Sequence, residues 1–128
     1  MDKNEPISFK VIVAGGRDFN DYNLMREKLD RLLSKRIETE KVIIVSGCAK
    51  GADSLGERYA EERNLHVIRK PANWDKFGKS AGYIRNAEMA DISDGLIAFW
   101  NGNKEHSGTY HMVSLAKEHD LILRVIRY

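Results

Sequence analysis

Apolar residues along this chain follow two alternating rhythms. Short β-branched runs occupy residues 9–13, 41–45, 65–68, 95–99 and 121–126. Their length and near-continuous apolarity predict strands buried on both faces, as in a parallel sheet. Longer segments between them repeat at helical spacing. Tyr22, Met25, Leu29, Leu32 and Leu33 form one stripe, with Arg26, Lys28, Asp30 and Arg31 on the other side. Ala52, Leu55, Gly56, Tyr59 and Ala60 form a second stripe. Tyr83, Ile84, Ala87 and Ala90 form a weaker third, and Thr109, Met112, Val113 and Ala116 a fourth.

The order β-α-β-α-β-α-β-α-β predicts an α/β fold. With right-handed crossovers it becomes a Rossmann-like, doubly wound parallel five-stranded sheet with helices on both faces. The expected strand order is 3-2-1-4-5. Ligands of such sheets sit beyond the carboxyl ends of the strands where the order reverses, here between strands one and four. Residues 1–8 are polar and read as a flexible N-terminal extension, with 9–128 as a single domain. Residues 71–80 form the longest irregular connection.

Composition narrows the function classes. The 21 basic and 19 acidic residues leave a net charge of +2, too balanced for a chain that coats nucleic acid. One cysteine, Cys48, excludes an internal disulfide and a Cys-rich metal site. Without a signal-peptide core or an apolar run of about 20 residues, no membrane role is expected, and a reducing cytoplasm is the default location.

The loops after the strands carry the candidate chemistry. Gly15-Gly16-Arg17-Asp18 lets backbone N–H groups approach an anion, with Arg17 as a bidentate donor; a tight turn with a solvated Arg is the plainer reading. It is neither a Walker A loop nor a GxGxxG fingerprint. Ser46-Gly47-Cys48-Ala49-Lys50-Gly51-Ala52-Asp53 runs straight into a helix whose N-terminus favours anions. Asp53 either complements that terminus or accepts hydrogen bonds from ribose or a base edge. Cys48 reads as a small filler.

Gly78 to Gly82 is another small-residue helix entry, followed by Arg85 and Asn86. Trp74 either stacks on a base or closes the core edge. After strand four, Trp100 leads through a polar loop to Ser107-Gly108-Thr109, which offers hydroxyls and free N–H groups to a phosphate, or simply an N-cap. His106 and His111 flank this cap without the ligands of a metal site, and no metal or cofactor is expected.

Taken together, these segments resemble the SLOG superfamily, in its YspA-like branch. The most specific parts are residues 46–53, the run Gly78-Lys79-Ser80-Ala81-Gly82-Tyr83-Ile84-Arg85-Asn86-Ala87-Glu88-Met89, and Ser107-Gly108-Thr109. The resemblance implies a Rossmann-like sheet with a pocket for nucleotides or their derivatives. The superfamily includes Lonely Guy phosphoribohydrolases, the DNA-processing protein DprA and antiviral domains that sense ADP-ribose-type signals. The hydrolases carry an acid three positions after the Gly-Thr pair, where this chain has Met112. Arg85 matches their arginine. Family resemblance also implies a homodimer or higher homo-oligomer, to which Ala81, Gly82, Ala87 and Ala90 would lend a close-packing face; packing against the chain's own sheet is the alternative.

The leading expectation is therefore a protein that binds a nucleotide or nucleotide-derived signal, as sensor or sequestering protein, without turning it over. An N-glycosidic hydrolase of nucleoside monophosphates, using Asp53 or Glu88 beside Arg85, is the runner-up. Single-stranded DNA binding ranks third, since no interleaved aromatics mark a basic stripe.

Overall fold

The computed structural model describes residues 7–105 and 107–128. Its elements are β1 (Ser8–Gly15), α1 (Tyr22–Thr39), β2 (Lys41–Ser46), α2 (Ala52–Glu62), β3 (His66–Arg69), α3 (Trp74–Phe77), a 3-10 turn (Gly78–Ser80), α4 (Ala81–Ile92), β4 (Gly95–Trp100), α5 (Gly108–Glu118) and β5 (Ile122–Arg127). All neighbouring strands pair in parallel, in the order β3-β2-β1-β4-β5. The expected fold class and strand order are both present. Most of the expected extension over 1–8 lies outside the described residues, but Ser8 already pairs with Lys41.

Each sheet face has its own core, which makes the sheet doubly wound. On one side Val11, Val13, Val42, Ile44 and Phe99 pack under Met25, Leu29 and Leu33 of α1 and Tyr59 and Ala60 of α2. On the other, Ile12, Ala14, Val45, Leu96 and Ala98 pack under Met89 and Ala90 of α4 and Met112, Val113 and Ala116 of α5. Strand alternation sends successive residues of β1 and β4 to opposite cores, which is why these runs are almost wholly apolar. Burial of such side chains contributes roughly 1.5–3 kcal/mol each.

Three expectations need correction. The edge strands are not buried on both faces: β3 is half-exposed, and in β5 Ile122 and Val125 are solvent-exposed. An edge strand has a single neighbour, so helices that cover the sheet centre leave it partly bare. The third helical stripe was also misplaced. The inward face of α4 holds Ala81, Asn86, Met89 and Ala90, whereas Tyr83 is exposed. A buried asparagine replaced the apolar residue that periodicity looks for. Ala81 and Ala90 pack within the chain's own fold. The connection 71–80 also contains a short helix, α3, started by the Asn73 side chain accepting from the Lys76 N–H at 3.1 Å.

Local chemistry sets the helix starts that frame the site. Asp21 caps α1 by accepting from the Leu24 N–H at 3.0 Å, and Ser107 caps α5 by accepting from the Tyr110 N–H at 3.0 Å. No side chain caps α2; the residue before it, Gly51, has φ +79°. No helix among the described residues is long and apolar enough to cross a membrane.

Candidate functional site

β1 and β4 run side by side, with Ala14 opposite Ala98 and Gly15 opposite Phe99, so their carboxyl ends open together at the reversal of strand order. A cleft of about 610 Å³ lies there. Gly15, Gly16, Arg17 and Asp18 enter it from the β1 end, and Trp100, Asn101, Asn103 and Glu105 from the β4 end. Arg85 and Asn86 come from α4, Ser107, Gly108 and Thr109 from the start of α5, and Ala49 and Asp53 from the α2 entry. Ala14, Met89 and Met112 supply apolar surface, and Tyr128 closes one side. Its volume falls in the range of small-molecule sites.

The cleft holds two arginines, Arg17 and Arg85, and three acids, Asp18, Asp53 and Glu105. Among the described residues, neither Arg17 nor Arg85 has a carboxylate oxygen within ion-pair distance. Arg17 is exposed. Arg85 is half-buried and fixed: Nη1 donates to the Gly47 carbonyl and Nε to Asn86 Oδ1 at 3.0 Å. Burial lowers its pKa, a shift that nearby Asp53 offsets and Arg17 reinforces. Asn86 then donates through Nδ2 to the Gly108 carbonyl at 3.3 Å, 3.1 Å from His111 Nδ1. That contact makes His111 Nδ1 an acceptor, and burial, which lowers the His111 pKa, keeps the ring neutral. One chain of hydrogen bonds thus links the β2 end, α4 and the first turn of α5. The N–H groups of Gly108 and Thr109 precede the first intrahelical bonds and are available to an anion.

Asp53 is the unusual group. The residue is 6% exposed, and one N–H, from Ala49 at 3.2 Å, reaches its Oδ2. Burial pushes its pKa up to about 6, against the Ala49 hydrogen bond and Arg85, which lower it. An acid whose folded pKa exceeds its unfolded one favours folding fully below the unfolded value and loses that contribution as pH rises through the folded value. The window here runs from 3.8 to about 6. Asp53→Asn should therefore gain stability relative to wild type by up to about 3 kcal/mol between pH 4 and pH 7.5. Urea unfolding at the two pH values measures it; an unchanged difference would show that Asp53 ionises freely in the fold.

The structure gathers eleven of the sequence-designated residues into the cleft: Gly15, Gly16, Arg17, Asp18, Asp53, Arg85, Asn86, Trp100, Ser107, Gly108 and Thr109. Others do not line it. Ser46 is fully buried, donating to Glu57 at 2.7 Å and accepting from the Cys48 N–H at 3.1 Å. Gly47 supplies the carbonyl that holds Arg85. Gly51 and Ala52 pack under the β1 turn, where the Ala52 N–H donates to the Gly16 carbonyl at 3.2 Å. The expectation of an open, anion-ready α2 terminus is therefore narrowed: the chain's own Gly16 carbonyl takes its first N–H. Trp74 is 51% exposed and stands over Gly82, outside the lining. Glu88 is exposed, 4.0 Å from Lys70, and also outside.

Trp100 lines the cleft but stacks with Tyr110 at 5.8 Å, and its indole N–H donates to the Asn103 carbonyl at 2.9 Å. Tyr128 went unnoticed in the sequence. Its hydroxyl donates to Asp18 at 2.6 Å and rests against Gly16, pinning the Gly-Gly-Arg turn from 110 residues away. Only a long-range contact reveals it. Asn101, Asn103 and Glu105, in the polar loop after β4, were likewise missed, being residue types without a motif, and Ala49 and Met89 line the cleft from within the runs 46–53 and 78–89 without having been singled out. His106 lies outside the described residues.

Comparisons with known proteins agree with the fold. Residues 9–77 match the model of the YspA, cpYpsA-related SLOG family. The Gene 61 protein of Mycobacterium phage D29 is 30% identical over 115 residues, covering 85% of this chain and 89% of the phage protein. The X-ray structure of DNA processing protein A (DprA) from Streptococcus pneumoniae superposes with a TM-score of 0.69 at 20% identity. That match covers 95% of this chain and 51% of the DprA chain, so this chain spans about half of that protein. At such identity the likeness concerns the fold. The family match over more than half the chain and the phage relative over nearly all of it place the protein in the YspA, cpYpsA-related SLOG family.

Proposed function

We propose that the protein captures a nucleotide or nucleotide-derived small molecule, of the ADP-ribose or cyclic-nucleotide type, and holds it without cleavage as a sensor or sequestering protein. The observation that carries this reading is the pair of guanidinium groups, Arg17 and Arg85, with no ion-paired carboxylate among the described residues, in the cleft that also receives the first turn of α5. Phosphate oxygens satisfy guanidinium forks and free helix N–H groups together. Met112 supports capture over cleavage. It is 1% exposed, lines the cleft and belongs to the apolar core, and has no proton to give or take. Calorimetry with AMP, ADP-ribose, cyclic ADP-ribose variants and cyclic dinucleotides tests the proposal. At least one should bind in the micromolar range, and silence across the panel would sink it.

One observation favours a second reading. Asp53 is a cleft acid whose pKa burial raises toward neutrality, which suits proton transfer to a leaving base. Hydrolysis would release free base from a nucleoside monophosphate, seen by chromatography and abolished in Asp53→Ala. The fold likeness to a protein named for DNA processing puts single-stranded DNA among the ligands to test. Trp74, Phe77, Tyr83 and Tyr110 are exposed aromatics, with Lys76 over Phe77 and Lys104 over Tyr110. Such pairs suit base stacking. Salt-sensitive oligonucleotide binding that Tyr83→Ala weakens would support this third reading.

A further inference from the structure

Three acids line the cleft, Asp18, Asp53 and Glu105, and of these Asp53 is the buried one. Its Oδ2 and the Arg85 Nη1 flank the same point: a Cβ built on Gly47 would lie 2.8 Å from the first and 2.7 Å from the second. Oδ1 has no hydrogen-bond partner among the described residues, and Asp53 lines the cleft. An anion drawn to Arg85 therefore comes to rest beside a buried carboxyl group. Between two negative groups at that separation, with little water to screen them, repulsion is strong. A shared proton removes it and leaves one short, charge-assisted hydrogen bond instead.

We propose that Asp53 binds the ligand as a carboxylic acid, donating a hydrogen bond from Oδ1 to a phosphate oxygen beside Arg85, so that anion and proton enter the cleft together. This rests on the capture reading above and adds the regulation of the same site. No covalent bond changes: the proton comes from solvent, stays on Asp53 while the anion is bound, and returns to solvent on release. The groups facing Asp53 are Arg17 from the β1–α1 turn, Arg85 from α4, Glu57 from α2 and Cys48 from the loop before α2. Glu57 already holds Ser46 and Arg69, at 2.7 Å each, and the two arginines stay charged across the range considered. Among the described residues, His111 faces the α5 terminus, bonded to Asn86 and with its pKa lowered by burial, and Asp18 and Glu105 line the cleft beyond it. Burial holds Asp53 close to the pH where such coupling is readable: ionised in the free protein at pH 8, half-protonated near 6.

Sulfate is the probe, because it stays a dianion throughout this range and contributes no titration of its own. Its affinity for the wild-type protein should rise at least about tenfold from pH 8 to pH 6, as uptake of one proton requires. Asp53→Asn keeps an oxygen for Ala49 and presents a permanent donor to the anion, so its sulfate affinity should be flat with pH and exceed wild type at pH 8. In the wild-type chain, the carboxyl-carbon NMR shift of Asp53 should titrate at least about 1.5 pH units higher when sulfate saturates, the shift that a tenfold rise requires. That measurement does not depend on the variant folding. Sulfate bound with an affinity flat in pH overturns proton coupling and leaves capture standing, with Asp53 an ionised acceptor for sugar hydroxyls. A pH dependence that persists in Asp53→Asn puts the proton on another group and also overturns it. Failure of sulfate to bind at any pH removes the phosphate site and both proposals with it.

Discussion

Arg85→Ala is expected to weaken binding of the tightest nucleotide of the panel by roughly 1.5–3 kcal/mol, a factor of about 10 to 150. Arg85 is half-buried, oriented by Gly47 and Asn86, and has no acid partner within ion-pair distance among the described residues. A guanidinium so held loses little entropy on meeting an anion, so most of the charge-assisted bond reaches the affinity. Arg85→Lys should recover only part of it, since an ammonium cannot reproduce the bonds to Gly47 and Asn86 while facing a phosphate. Calorimetry gives the affinities, and thermal melting of each variant separates lost binding from lost folding. An affinity within threefold of wild type in Arg85→Ala would place the phosphate elsewhere in the cleft, at Arg17 and the α5 terminus alone.

The fold was legible because its central strands obey one physical rule. β1, β2 and β4 are covered on both faces, so their runs are almost wholly apolar and read as strands without reference to neighbours. Helices α1, α2 and α5 also read directly, since their inward faces are almost wholly apolar. α4 read badly for the reason that makes it interesting. Its inward face carries Asn86 and, beside it, Arg85, committed to hydrogen bonds around the cleft, so function disturbed the pattern that folding alone would impose.

The site was legible in its residue types and much less in its roles. Glycine-rich turns announced where the backbone comes close to something, but not whether that is a ligand or another part of the chain. Residues 46–53 illustrate the difference. The helix start that looked open to an anion receives the Gly16 carbonyl, so this loop supports the site from beneath while α5 faces it. Asp53 was visible as a first-turn acid; its raised pKa depends on burial that only the assembled fold creates. Tyr128 and Asp18 meet across nearly the whole chain, and no local pattern encodes that.

The support role of that loop gives the second large expected effect. Gly51 has φ +79° and ψ −125°, a region closed to residues with a Cβ, and a Cβ there would run into the Gly16 and Arg17 carbonyl oxygens. Gly51→Ala therefore combines backbone strain of about 1–3 kcal/mol with a clash against main chain that cannot rotate away, together about 3–5 kcal/mol. For a domain stable by about 5–15 kcal/mol, this is a large share of the total. Gly78→Ala is the matched control: φ is also positive, at +57°, but nothing lies within 4 Å of its Cβ, so only the strain remains. Urea unfolding of the pair isolates the packing part. The same clash would push the Gly16-Arg17 turn away from α2, so nucleotide affinity should fall in Gly51→Ala even where it remains folded, and stay near wild type in Gly78→Ala. Equal destabilisation by the two substitutions would mean that the β1 turn yields freely, and that Arg17 is placed by Tyr128 and Asp18 rather than by the α2 entry beneath it.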